Sequence, residues 1–176
     1  MKQVILKEKI AQAIEILNEK DIDMWLTFIR ESSIIKDPAI EMIIGSNVTW
    51  QSAFMLSKDG DKTAIVGSLE LDNFKNPGLY TNVTGYLKSI KEPFQEYLKK
   101  KNPPKIALNF SKNSTLADGL TFGMYNILID HLKELGFENR VVSSEEIISA
   151  LRGRKSSTEL NIMKEAVDET LKIFDK

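Results

Sequence analysis

A chain of 176 residues, 42% hydrophobic and 28% charged, has enough apolar material for one domain with a sizeable core. Its formal net charge of -1 offers no electrostatic footprint for nucleic acid or an anionic membrane, so neither is expected as a partner. The absence of cysteine excludes disulfides, cysteine–zinc sites and thiol catalysis, and fits a reducing compartment.

The N-terminal stretch places Leu6, Ile10, Ala13, Ile14 and Leu17 on one face, which predicts an amphipathic helix over residues 2–20. Lys7, Glu8 and Lys9 break any signal-peptide core, and no apolar run approaches the roughly 20 residues that span a bilayer. A cytoplasmic protein is the expectation. The sequons at Asn47, Asn82, Asn109 and Asn113 are then chance occurrences. IDMWLTFI (22–29) is a nearly continuous apolar run and reads as a buried strand. RESSIIKDP follows as a loop, with Pro38 opening a short helix to Ile44 that Gly45-Ser46-Asn47 ends. WQSAFMLS and KTAIVGS flank Lys58-Asp59-Gly60-Asp61 and predict a hairpin, because glycine supplies the positive φ of a tight turn.

LELDNFK predicts a short helical crossover and LYTNVTGY (79–86) another strand. Residues 91–101 read as a helix stopped by Pro103-Pro104, and KIALNF (105–110) as a strand. DGLTFGMYNILIDHLKELG puts Leu120, Met124, Leu128, Leu132 and Leu135 on one helical face, with Asp118 at its start and Gly136 as its C-cap. ENRVVSS is the last predicted strand. Helices alternating with strands, plus one hairpin, predict an α/β domain with a mixed β-sheet flanked by helices over residues 1–142. Residues 143–176 read as two linker helices leading out of it. Each opens on a capping box, Ser143 with Glu146 and Ser156 with Glu159. Gly153 ends the first; the second carries the stripe Leu160, Met163, Val167, Leu171 and Phe174, an apolar face with no evident partner in this chain.

Chemistry-bearing residues are sparse. His131, the one histidine, sits beside the apolar stripe of its helix and reads as a structural boundary residue. No phosphate-cradling glycine loop is present, and Asp59, Asp61, Glu70 and Asp72 lie beside turns as a solvated set. Asp37 reads, like Asp118, as a helix-starting carboxylate. No catalytic constellation and no metal-ligand set are expected in this chain. Two features remain. Arg30 and Glu31 leave the first strand, and Asn109, Ser111 and Asn113 a later one, at the carboxyl ends where open sheets bind ligands; the same residue types are also ordinary loop formers. Trp50 is either a partner anchor at a loop–strand junction or the start of an inward row with Ser52, Phe54 and Leu56.

The string SSEEIISALRGRKSSTELNIMKEAVDET resembles the inter-domain junction of the creatinase/prolidase family, the pita-bread metallopeptidases; Arg152, Lys155, Glu159 and Ala166 match its pattern. IEMIIGSN sits where that family has a strand or short helix ending in glycine, and ALNFSKNSTLADGLTFGMYNILIDHL is similar to the bacterial Xaa-Pro dipeptidase and aminopeptidase branch. The resemblance covers essentially the whole chain. It implies the family's N-terminal domain, with a ribonuclease H-like α/β fold, non-catalytic by itself and serving in oligomer assembly and substrate-pocket gating. The catalytic domain, with two divalent metal ions such as manganese held by two Asp, one His and two Glu, would lie beyond residue 176. The parent would be a homodimer acting on proline-containing peptides. Trp50 is the candidate for an aromatic residue that reaches a neighbouring subunit's active site, with Arg30 as a further pocket or partner contact. The alternative is the N-terminal module of a catalytically dead pita-bread relative that binds peptides or proteins.

Overall fold

The computed structural model describes residues 1–174; Asp175 and Lys176, the end of the predicted last helix, lie outside the described residues. In chain order the elements are α1 (Lys2–Glu19), β1 (Met24–Ile29), β2 (Ser52–Ser57), β3 (Lys62–Gly67), α2 (Leu71–Lys75), β4 (Asn82–Tyr86), α3 (Lys91–Lys101), β5 (Ile106–Leu108), α4 (Phe122–Lys133), β6 (Val141–Ser143), α5 (Glu145–Gly153) and α6 (Ser157–Phe174). The strands form one six-stranded mixed sheet in the order β4-β3-β2-β1-β5-β6. β2 runs antiparallel to both β1 and β3, and the other pairs are parallel. Among the described residues no helix is long and apolar enough to cross a membrane.

The run of apolar residues in β1 follows from its place in the middle of the sheet, where every residue is buried. Trp25 points to the face covered by α1, α2 and α5, together with Phe54, Leu56, Ala64, Val66 and Ala107. Met24, Leu26 and Phe28 point to the face covered by α3 and α4, with Met55, Ile65, Ile106 and Leu108. This period-two partition divides one continuous apolar supply between two cores. The β2–β3 hairpin turns at Gly60, whose φ of 91° suits glycine. The stretch Ile40–Ile44 is a single wide π-type turn ending at left-handed Gly45, against which Leu6 packs so closely that a Cβ would meet its Cδ1.

Two local expectations are corrected. The helix predicted from Asp118 starts four residues later. Leu120 N–H is bonded to the Asn109 carbonyl at 2.8 Å and so is not part of a helix. Thr121 then caps Met124 N–H, while the Asp118 carboxylate accepts from Ser111 N–H at 3.2 Å instead. The Ser143–Glu146 box does not form. The Ser143 hydroxyl donates to the Phe110 carbonyl and accepts from Glu145 N–H, and Glu146 pairs with Lys20 at 3.0 Å. Ile147, Ile148 and Leu151 of α5 are buried in the core shared with α1. By contrast, α6 has no buried residue.

Candidate functional site

The carboxyl ends of β1, β3 and β4 and the start of β2 meet at one end of the sheet, because β2 is antiparallel to its neighbours. Arg30 leaves β1 there, and Trp50 stands two residues before β2. The Trp50 indole lies over Gly67, where a Cβ would come within 2.7 Å of its Cε3, so glycine is required by close approach. Its ring centroid is 5.8 Å from that of Tyr86, the last residue of β4, and the Tyr86 hydroxyl donates to the Gln51 carbonyl at 2.8 Å. The Glu70 carboxylate accepts from Thr49 N–H at 2.6 Å and from Trp50 N–H at 3.4 Å. Glu70 thus fixes the backbone that presents the tryptophan, a role its turn position did not signal.

Arg30, Trp50, Tyr86, Leu87 and Lys88 line a cleft of about 440 Å³. Trp50 remains 36% exposed and stands as a half-covered wall of this cleft. Arg30 is exposed, and its side chain makes no hydrogen bond or ion pair among the described residues. Two hydrogen bonds close the loops behind the cleft, Glu31 N–H to the Thr49 carbonyl and Ser32 N–H to the Val48 carbonyl. Glu31 takes a left-handed φ of 45° to make that turn. A rigid aromatic wall beside an unpaired guanidinium can hold a peptide carboxylate or backbone against an apolar surface.

The residues leaving β5 go elsewhere. Asn109 is buried and uses its whole amide: its oxygen accepts from Trp25 Nε1 at 2.6 Å and Ser144 Oγ at 2.8 Å, and its nitrogen donates to Thr27 Oγ1 and Asp37 Oδ1. With every valence spent it is a structural hub rather than a ligand-binding group. Ser111 closes its own turn and donates to Glu145, and Asn113 is exposed. His131 lies half-buried between Phe28 and Phe94, 6.4 and 6.3 Å from their rings, and burial with the nearby Lys91 charge lowers its pKa. That is a structural setting.

Sequence reasoning missed the burial of two charged residues. Asp37 is buried; its Oδ1 accepts from Asn109 and from Ala39 N–H, while Oδ2 has no partner and faces Gly119 so closely that a Cβ there would collide with it. Burial pushes the Asp37 carboxyl up to about 6. Lys9 is 4% exposed and donates to the carbonyls of Leu151 (3.0 Å) and Arg154 (2.6 Å), while pairing with Glu159 at 2.8 Å. Burial works to raise the Glu159 carboxyl, but Lys9 and Ser156 N–H outweigh it and hold it below its ordinary value. Glu8 completes the clamp by accepting from Thr158 N–H and Oγ1. Of the family-like junction residues, Glu159 is in this clamp, Lys155 caps the Arg152 carbonyl at 2.8 Å, and Ala166 is exposed on α6. No group of three or more His, Asp or Glu side chains among the described residues is arranged to hold a metal ion.

No protein-family model and no curated sequence matches the chain. Solved structures do. The Xaa-Pro dipeptidase from Bacillus anthracis superposes with a TM-score of 0.61 at 18% identity, over 91% of this chain and 39% of that one. The prolidase from Pyrococcus horikoshii OT3 does so with a TM-score of 0.60 at 20% identity, over 92% and 39%. The creatinase/prolidase N-terminal domain of an X-Pro dipeptidase from Streptococcus pyogenes matches with a TM-score of 0.53 at 16% identity, over 69% of this chain and 86% of the domain. The chain thus spans 39% of the length of the dipeptidase and of the prolidase. Likeness over nearly all of this chain, at such low identity, is a likeness of architecture: the chain has the fold of the creatinase/prolidase N-terminal domain.

Proposed function

We propose that this chain is the non-catalytic N-terminal domain of a metal-dependent Xaa-Pro peptidase, acting in oligomer assembly and in shaping the entrance to the substrate pocket. The observation that carries the reading is the superposition of 91% of this chain on 39% of a Xaa-Pro dipeptidase. The Arg152–Glu159 junction, clamped to α1 by Lys9 and Glu8, supports it by giving α6 a fixed point of departure. In this reading two divalent metal ions such as manganese belong to a catalytic domain that follows α6, and the parent is a cytoplasmic homodimer acting on proline-containing peptides. The domain division is 1–142 for the sheet and 143–176 for the helices that lead onward. Arg30 and Trp50 are the pocket or partner contacts, on the strength of the cleft they share.

The test is hydrolysis of a Xaa-Pro dipeptide with manganese by the full-length gene product, compared with residues 1–176 alone. Activity in the first and none in the second is expected. Hydrolysis by the 176-residue chain would overturn the reading. A full-length product that binds such peptides without cleaving them would favour a catalytically dead relative.

A further inference from the structure

We propose that Asp118 is a modification site, at which the Asp118–Gly119 peptide converts spontaneously through a succinimide to an isoaspartyl link. The chain has two Asp-Gly steps, Asp59–Gly60 and Asp118–Gly119. In such a step the glycine nitrogen attacks the aspartate Cγ. The new N–Cγ bond closes a five-membered ring, the amide proton is lost, and one carboxyl oxygen leaves as water. Glycine favours this because it has no Cβ to hinder the approach. Water then opens the ring at either carbonyl. Attack at Cγ restores aspartate, whereas attack at the main-chain carbonyl routes the chain through Cβ as isoaspartate, with no net change in mass. The reaction needs an unengaged amide nitrogen and a carboxyl that can take up a proton and lose an oxygen.

The fold withholds both at Asp59. Gly60 N–H donates to the Ser57 carbonyl at 2.9 Å. The Asp59 carboxylate accepts from Asp61 N–H at 3.1 Å and from Lys101 at 2.9 Å, and Lys101 holds it below its ordinary pKa. Asn113–Ser114, which could close the same ring with loss of ammonia, has its Ser114 N–H on Ser111 Oγ at 2.8 Å. Asp118 lacks these restraints. Among the described residues Gly119 N–H has no acceptor, and Asp118 makes no ion pair. Its exposed carboxylate holds one group, Ser111 N–H at 3.2 Å. Asp118 lies between the Thr115–Ala117 turn and α4, so turning Cγ onto the nitrogen breaks that one side-chain bond and no helix or sheet ladder. Gly119 gives the change a consequence. Its main chain closes over Asp37 Oδ2, and the next residue, Leu120, is tied to Asn109. Isoaspartate inserts one carbon into the main chain just before these contacts, which lifts the cover from Asp37 and loosens Leu120. The chemistry rests on these two Asp-Gly steps and not on the peptidase reading.

The test is to age the 176-residue chain for several weeks at body temperature near neutral pH, folded and in urea, and to map isoaspartate by electron-transfer fragmentation of its proteolytic peptides. In the folded chain isoaspartate at 118 should exceed that at 59 roughly tenfold. In urea the two steps should react alike, since only the fold distinguishes them. Asp118→Glu keeps a carboxylate for Ser111 but would have to close a six-membered ring, and should accumulate none at that position. Hydrogen exchange on the aged wild type should show faster exchange at Leu120, absent from the aged variant. Equal reaction at 59 and 118 in the folded chain, reaction at 118 only in urea, or unaltered Leu120 exchange in modified chains would each overturn the proposal.

Discussion

Lys9 and Asp37 show how much a single buried charge decides here. Lys9 joins two carbonyls and Glu159, so one ammonium holds the C-terminal end of α5 and the start of α6 against α1. Lys9→Met would leave those acceptors facing a thioether. Removing one partner of a buried pair is costly, but Glu159 keeps access to water, so a loss of about 2–3 kcal/mol is expected in urea unfolding. Asp37 acts in the opposite direction. Its carboxyl is at about 6 when folded against an ordinary 3.8, so the folded chain binds the extra proton between these values. Its contribution is therefore full below about pH 4 and is lost as pH rises through about 6, a change on the order of 2–3 kcal/mol. Asp37→Asn removes that titration while keeping an oxygen for Ala39 and Asn109. The stability of the variant minus that of the wild type should rise from pH 4 to pH 7, and a flat difference would refute the protonation. The burial of neither residue was legible in the sequence. Lys9 falls on the apolar face between Leu6 and Ile10, but its charge pointed to solvent; Asp37 precedes proline at a helix start and shows its burial only once Gly119 and Asn109 close over it.

Elements were legible where local chemistry decides them and not where distant groups compete. All six strands and the helices were visible as apolar periods bounded by turn residues. Ends were harder. The two capping boxes have the same spacing, yet only one formed. Ser156 Oγ accepts from Glu159 N–H at 3.3 Å and Glu159 accepts from Ser156 N–H at 2.7 Å, whereas Ser143 is taken by Phe110, which no local pattern reveals. Ser156→Ala should then cost about 1 kcal/mol in thermal or urea unfolding. Ser143→Ala should instead loosen the β5–β6 end, with faster amide exchange at Glu145, whose N–H it holds. An equal effect of both changes on α6 alone would contradict this assignment. The candidate cleft was half visible. Arg30 and Trp50 stood out by residue type and place, but Tyr86 and Gly67, at the ends of β4 and β3, and Glu70, in the turn after β3, reach the tryptophan only through the sheet order.

For the molecule as a whole, the cleft and α6 carry different kinds of consequence. If Trp50 contacts substrate in the parent enzyme, Trp50→Ala should raise KM for a Xaa-Pro dipeptide roughly tenfold, about 1.4 kcal/mol, with kcat little changed. An unchanged KM would remove Trp50 from the pocket. α1 to α5 share two cores across the sheet, while among the described residues the polar contacts that tie α6 to the rest of the chain lie at its first turn, through Glu8, Lys9 and the Ser156 cap. Beyond it, Leu160, Met163, Val167, Leu171 and Phe174 form the predicted stripe, yet stand 46% to 82% exposed. A helix held at one end gains little from tertiary packing, and isolated helices of roughly 12–15 residues are marginal in water. Native-state hydrogen exchange should therefore show a gradient. Amides of β1, β2 and α1 should exchange only by global unfolding, those near Leu160 with intermediate protection, and those from Val167 to Phe174 close to the unprotected rate. Lys9→Met should extend the fast region back to Ser157. Uniform strong protection along α6 in a monomeric chain would mean that the stripe is covered by a contact within the chain and that the clamp is not its only support.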